Sequence, residues 1–245
     1  YQQAYEPLLV FARDGQGRLC GLLTLAIASA DARLVAAGEI QAEYQVWISR
    51  PELGDTFPLQ AFREIHHQLP SSVLRLNYLP PGVPVEWLKN RQMKRRHLIS
   101  AHRRPLTRFG DGSAIAASLA KRTNKNRLRQ IEKAGRVTFE HVTDPQQMEA
   151  IIDTIIPYHD VRHMTFRVAA PFQEDPLRRT FALALLKIPG LVHLTILKAG
   201  EHLVTAHLGA VKKNEVQLGL IAHNPRFARQ SPGKFQILFL SKMLL

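Results

Sequence analysis

Three strand-like runs lie close together in the last quarter of the chain: Val192 to Lys198, Leu203 to Val211 and Glu215 to Ala222. Only four residues, turning at Ala199-Gly200, and then Lys212 to Asn214 separate them, and connections that short return the chain antiparallel. The meander feeds a loop, Asn224 to Lys234, and then an apolar run from Phe235 to Leu245 that reads as a helix. Ser231 suits the N-cap, Pro232 the first helical position, and Gly233 lets a ligand approach the backbone. The first amides of such a helix have no internal partner and stand at its positive end, where phosphate binds. Arg226, Arg229 and Lys234 add positive charge around that point. A plainly structural, capped core helix is read from the same residues.

The elements upstream complete a mixed pattern. Leu8 to Ala12 and Leu19 to Ile27 predict a hairpin turning at Asp14 to Gly17, with further strands at Arg33 to Ala37, Tyr44 to Ile48 and Val73 to Tyr78. Leu59 to Leu69 has helical spacing, Pro80 to Pro84 is a loop, and Trp87-Leu88 suggests a short helix. A weaker strand, His97 to Thr107, precedes a hinge at Gly110 to Gly112. A long helix is expected from Ser113 to Ala134, ending at Gly135. Arg122, Lys125, Arg129 and Lys133 fall on one of its faces, with Ala120, Leu128 and Ile131 on the other. Arg136 to Val142 is a strand. Asp144-Pro145 caps a helix from Gln146 to Ile156, and another helix spans about Pro176 to Lys187.

The 245 residues suffice for one large domain or two small ones. The net charge of +13 is concentrated: Lys89 to Arg136 holds fifteen Lys and Arg against Asp111 and Glu132, which leaves the rest of the chain neutral. Such a segment attracts phosphates, nucleic acid or acidic polymers in a salt-dependent way. One cysteine, Cys20, rules out a disulfide framework and a cysteine-based zinc site, and points to a reducing, cytoplasmic setting. No stretch is apolar for the roughly 18 residues of a membrane span. The chain starts without Met and stops inside an apolar run, so it is expected to be a piece of a longer protein.

Residues Gln230 to Phe235, Gln-Ser-Pro-Gly-Lys-Phe, are similar to the Gln/Arg-x-x-Gly-x-Gly/Ala signature of GNAT acyltransferases, with Phe235 where a small residue is usual. Pro225 to Gly233 resembles the DP.FA..SPG segment of an acetyltransferase family of cellulose-biosynthesis type, related to Fem-type aminoacyltransferases. Asn224 replaces that segment's acid. The order strand, helices, three antiparallel strands, helix is also the order of the GNAT core. The resemblance implies an α/β (α+β) protein of tandem GNAT-like halves, residues 1–108 and 109–245, with mostly antiparallel sheets flanked by helices. It is specific from about Lys121 onward. It implies an acyl-CoA-dependent acyltransferase, with acetyl-CoA or another acyl-CoA as cosubstrate and an amine, hydroxyl or saccharide acceptor. Arg229, Gln230, Ser231, Gly233 and Lys234 would hold the pyrophosphate. The Fem relationship makes tRNA an alternative partner.

Pro157 to His163 gathers polar groups at the expected end of an apolar helix. His159, Arg162 and His163 lie within about one turn, a spacing that allows them to face one cleft together. This stretch resembles the family's LH..RW segment, with His159 and Arg162 matching and His163 in the place of Trp, which implies an acceptor-side role. Helix-end residues that bind terminal carbonyls give the structural alternative. His159 and His223 are the candidate bases, because imidazole titrates near neutral pH. His207 reads as a packed or solvent-facing strand residue. No metal site is expected: His159 and His163 have i, i+4 spacing but lack the intervening Glu and a third ligand. No Gly-x-Ser-x-Gly elbow occurs, and direct attack on a thioester needs none. The basic helix, poor in aromatics, supports phosphate contact better than base stacking.

Overall fold

In the computed structural model the described residues are 4–38, 42, 44–80, 82–90, 112–167, 170–213 and 215–245. Two units divide the chain, Tyr1–Arg104 and Pro105–Leu245. The expected strand at His97 to Thr107 and the start of the hinge at Gly110 lie outside the described residues.

The first unit is built on a hairpin of β1 (Tyr5–Arg13) and β2 (Leu19–Ala28). Asp14 makes the turn: its Oδ1 accepts the N–H groups of Gln16 and Arg18 at 3.0 Å each, and Gly17 takes φ +78°. Strands β3 (Leu34–Ala36) and β4 (Ile48–Ser49) both pair antiparallel with β2. Helix α1 (Thr56–Gln68) packs Phe57, Ala61 and Ile65 into a core with Leu23, Leu25, Leu34, Trp47 and Trp87. Phe62 stacks on Trp87 at 4.8 Å, and Trp47 meets both rings edge-on at 6.0 Å. Val73 to Tyr78 does not form the expected strand. Only Arg75 bridges to Val35, and Tyr78 turns the chain with φ +55°. Alternation alone predicted it, without the paired neighbour a strand needs.

In the second unit the single long helix expected from Ser113 is two, α2 (Ser113–Ala120) and α3 (Arg122–Glu132). Lys121 breaks them with an extended ψ of 132°. Buried Asn124 stabilises the corner by donating Nδ2 to Ser118 O at 2.6 Å. No Gly or Pro marks this break, so its signal is tertiary. Gly135 ends α3 as expected, with φ +135°. A Cβ there would lie 2.7 Å from Gly200, so the close approach excludes a side chain.

Strand β5 (Val137–Val142) leads to α4 (Pro145–Arg167). Asp144 Oδ2 caps α4 at the N–H of Gln147, 2.8 Å away. The helix does not stop at Ile156. It continues through Pro157 for about three more turns, because a proline costs one backbone bond and packing against the sheet offsets it. Short α5 (Pro171–Glu174) and α6 (Leu177–Leu186) follow. Strands β6 (Val192–Ala199), β7 (His202–Lys212) and β8 (Glu215–His223) form the predicted meander, in an antiparallel sheet ordered β5-β6-β7-β8. A 3₁₀ helix (Pro225–Gln230) precedes α7 (Pro232–Met243).

Each face of this sheet has its own core. Leu194, Ile196, Ala206, Leu208 and Ala222 pack on Met148, Ile151, Ile152 and Ile155 of α4. On the other face Leu197, Ala199 and Val204 pack with Ile131, Phe227 and Phe235. Among the described residues, no helix is long and apolar enough to cross a membrane.

Candidate active site

The chain leaves β8 at His223 and enters the loop at Asn224, whose side chain organises the turn. Its Oδ1 accepts the N–H of Arg226 at 3.0 Å, and its Nδ2 donates to Leu203 O and Tyr158 Oη, each at 3.3 Å. An aspartate could accept from Arg226 but could not donate to Leu203, so the amide in place of the usual acid serves this junction.

Ser231 stands at the N-cap of α7 but does not cap through its side chain. Its backbone is left-handed, φ 56° and ψ 53°, because the chain must close the 3₁₀ turn and restart as α-helix within one residue. The N–H of Ser231 goes to Ala228 O at 3.2 Å, and that of Lys234 to Ser231 O at 3.0 Å. Pro232 has none. Among the described residues the N–H of Gly233 therefore has no acceptor, and of the three N–H groups from Ser231 to Lys234 it is the one left for a ligand. Nothing lies within 4 Å of where a Gly233 Cβ would be. The fold does not require glycine there, so the open space is room for something that approaches the backbone. Beside it, Gln230 buries a side-chain oxygen that no described donor meets.

The three cations are not equivalent. Arg226 contacts His202 Nε2 at 3.2 Å and lies over the Phe227 ring at 5.7 Å. Lys234 donates Nζ to Asn124 Oδ1 at 3.0 Å, which ties α7 to α3. Arg229 is exposed. Phe235 departs from the GNAT signature for a reason of packing: it is fully buried and fills the core between α3 and the sheet.

The second cluster lies on α4 and β8. The rings of His159 and His163 stack at 4.1 Å with a 30° tilt, and Phe172 meets His159 edge-on at 5.4 Å. Arg162 Nη1 donates to Ile221 O at 3.4 Å. Asn224 donates its N–H inward to Val204 O, so alternation turns the backbone groups of Ile221 and His223 toward the outer edge of β8. Arg162 thus already holds one carbonyl of that edge. Burial, then the neighbouring His163, pushes the His159 imidazole down to about 4, against the pull of Asp160. His223 is lowered first by burial and then by the charge of Arg162, and its Nδ1 is buried without a partner. Both rings are consequently neutral near pH 7, with a lone pair able to accept a proton.

Sequence reasoning missed a bulge in β8. Leu208 pairs with Leu220, but Ala210 pairs with Gln217, so Leu218 and Gly219 together oppose Gly209. A Cβ on Gly219 would meet Leu208 O at 2.7 Å, and one on Gly209 would run into Gln217 O. Two glycines inside strand patterns were the available signal. His207 is fully buried, its ring nitrogens without partners, and burial followed by the charge of His193 pushes it down to about 4. A cavity of about 360 Å³ opens between α4 and the β6–β7 turn, lined by Thr154, Tyr158, Lys198, Glu201, His202 and Asn224. None of the residues expected to bind cosubstrate or acceptor lines it. Their case rests on the chemistry at the α7 start and the β8 edge. Among the described residues no group of three or more His, Cys, Asp or Glu is arranged to hold a metal ion.

Against this geometry, the family model described as an acetyltransferase (GNAT) domain matches residues 118–240, from the end of α2 into α7. No curated protein matches the chain.

Proposed function

The chain belongs to the acetyltransferase (GNAT) domain family, and on that footing we propose that it transfers an acyl group from acyl-CoA to an amine or hydroxyl acceptor. Members of the family generally use acyl-CoA, which supplies the acyl group as a thioester. The observation that carries the reading for this chain is the start of α7, where Gly233 offers a free N–H beside space that no side chain fills. Gly233 would hold the pyrophosphate, with Arg229 and Gln230 beside it and the first turn of α7 supplying positive potential. Ser231 and Lys234 would shape the loop, since their amides are already bonded. The outer edge of β8 presents backbone groups able to align the pantetheine arm.

The acceptor would lie near His159 and Arg162. Its nitrogen or oxygen attacks the thioester carbonyl, a C–N or C–O bond forms, the C–S bond breaks, and CoA leaves as a thiolate that takes up the acceptor's proton by way of the base. The acceptor's proton passes to a neutral imidazole, His159 or His223, within a site whose contribution is placement and charge. A saccharide or cell-envelope precursor is the acceptor class suggested by the likeness to the cellulose-biosynthesis-type family. By the same likeness, residues 1–108 would be a second GNAT-like half.

A second reading rests on α3 and its C-cap, where Arg122, Lys125, Arg129 and Lys133 are exposed and, among the described residues, form no ion pair. They suit an aminoacyl-tRNA donor, or a nucleic-acid or anionic surface bound without catalysis. Thermal unfolding separates the readings, because a ligand at free concentration L that binds the folded protein alone stabilises it by RT ln(1 + L/Kd) and so raises Tm. Acetyl-CoA at 100 times its Kd adds about 2.7 kcal/mol, and the acyl-CoA reading predicts that rise and none with charged tRNA. The reverse pattern would overturn it.

A further inference from the structure

Asp160 has no part in the reading above, yet it is the buried carboxylate of the acceptor-side cluster, only 2% exposed. Its Oδ1 accepts the N–H of Phe172 and its Oδ2 that of Gln173, each at 3.1 Å. Both donors belong to the four-residue helix α5, which starts from Ala170 and Pro171. Ala170 has no side-chain oxygen to cap it, and Pro171 has no N–H. Asp160 therefore does from α4 what an N-cap residue does locally. Its Oδ1 is also 3.7 Å from His159 Nδ1, too long for a hydrogen bond but close enough for charge to act. Phe172 joins the two roles: Asp160 holds its backbone, and its ring meets His159 edge-on.

We propose that Asp160 is a positioning residue that docks α5 on α4 and thereby fixes the His159 ring at the acceptor side of the site; its bearing on catalysis rests on the acyltransferase reading. The charged and titratable groups around His159 are His163, Arg162 and Asp160 of α4; α5 contributes Phe172, and β8 brings His223 near Arg162. Of these, Asp160 is the group that favours the protonated ring.

The test compares the protein with Asp160→Asn and Asp160→Ala by hydrogen exchange at the Phe172 and Gln173 amides, NMR titration of His159, and acetyl-CoA binding. Asp160→Asn keeps one accepting oxygen. It should lose protection at one of the two amides and move the His159 titration about 1 pH unit lower, leaving the acetyl-CoA Kd within about twofold, the scatter usual for a distant site. Asp160→Ala should lose protection at both. Should it fail to fold, Asp160→Asn decides alone. Wild-type exchange and an unmoved His159 titration in Asp160→Asn would overturn the proposal. If both change as expected but acetyl-CoA does not bind even the unaltered protein, the hold on α5 and His159 stands and only the acyltransferase reading falls.

Discussion

Two kinds of glycine occur in the second unit, and they separate what the fold requires from what a ligand requires. Gly209 and Gly219 lie where a Cβ would collide with backbone oxygens across the β8 bulge. Gly209→Ala should cost about 1–3 kcal/mol in a urea titration, the usual penalty for forcing atoms into a packed site. Gly233 is the opposite case, with open space around its absent Cβ and no positive φ. Gly233→Ala should leave stability unchanged or raise it by up to about 1 kcal/mol, as expected at a helical position, while weakening acyl-CoA binding. Loss of stability on Gly233→Ala would show that the glycine serves the fold.

At the scale of elements, the bend between α2 and α3 hangs on Asn124, which donates to Ser118 O and accepts from Lys234 Nζ. Asn124→Ala should cost about 1–3 kcal/mol, the penalty for stranding buried polar partners, and should loosen the start of α7. Charge reversal at Arg122, Lys125 and Arg129 should by contrast move the urea midpoint little, since the three are exposed and unpaired among the described residues. If the reversal also leaves acetyl-CoA binding intact, the α3 stripe is not part of the cosubstrate site. The meander, the Asp144 cap of α4 and the stop at Gly135 were all legible, because short turns and caps write their chemistry into adjacent residues. The bend at Lys121 and the run of α4 through Pro157 were not, since contacts from remote segments decide both. The same holds for the site. Gly233 and the His159–Arg162 pair were visible as local motifs, whereas Asp160 gains its partners only when α5 folds back.

Over the whole second unit, buried histidines set the response to acid. His159, His193 and His207 are each pushed down to about 4, with burial as the largest cause. On unfolding, each returns to about 6.5 and takes up a proton. The unfolded state therefore binds more protons between about pH 4 and 6.5, so stability is full above 6.5 and falls as pH drops through that window. For fully buried His207 this linkage is on the order of 3 kcal/mol at its limit. The urea midpoint should decline steadily from pH 7 to 4.5, and His207→Gln should flatten part of that slope. A midpoint independent of pH would contradict the burial of these rings.

If the start of α7 receives the cosubstrate phosphate, calorimetric titration of acetyl-CoA into the protein and into Gly233→Asp will separate the two. Saturable binding is expected for the protein and none for Gly233→Asp, with the variant still folded by circular dichroism. Equal affinity for both, or no heat with either, would contradict it.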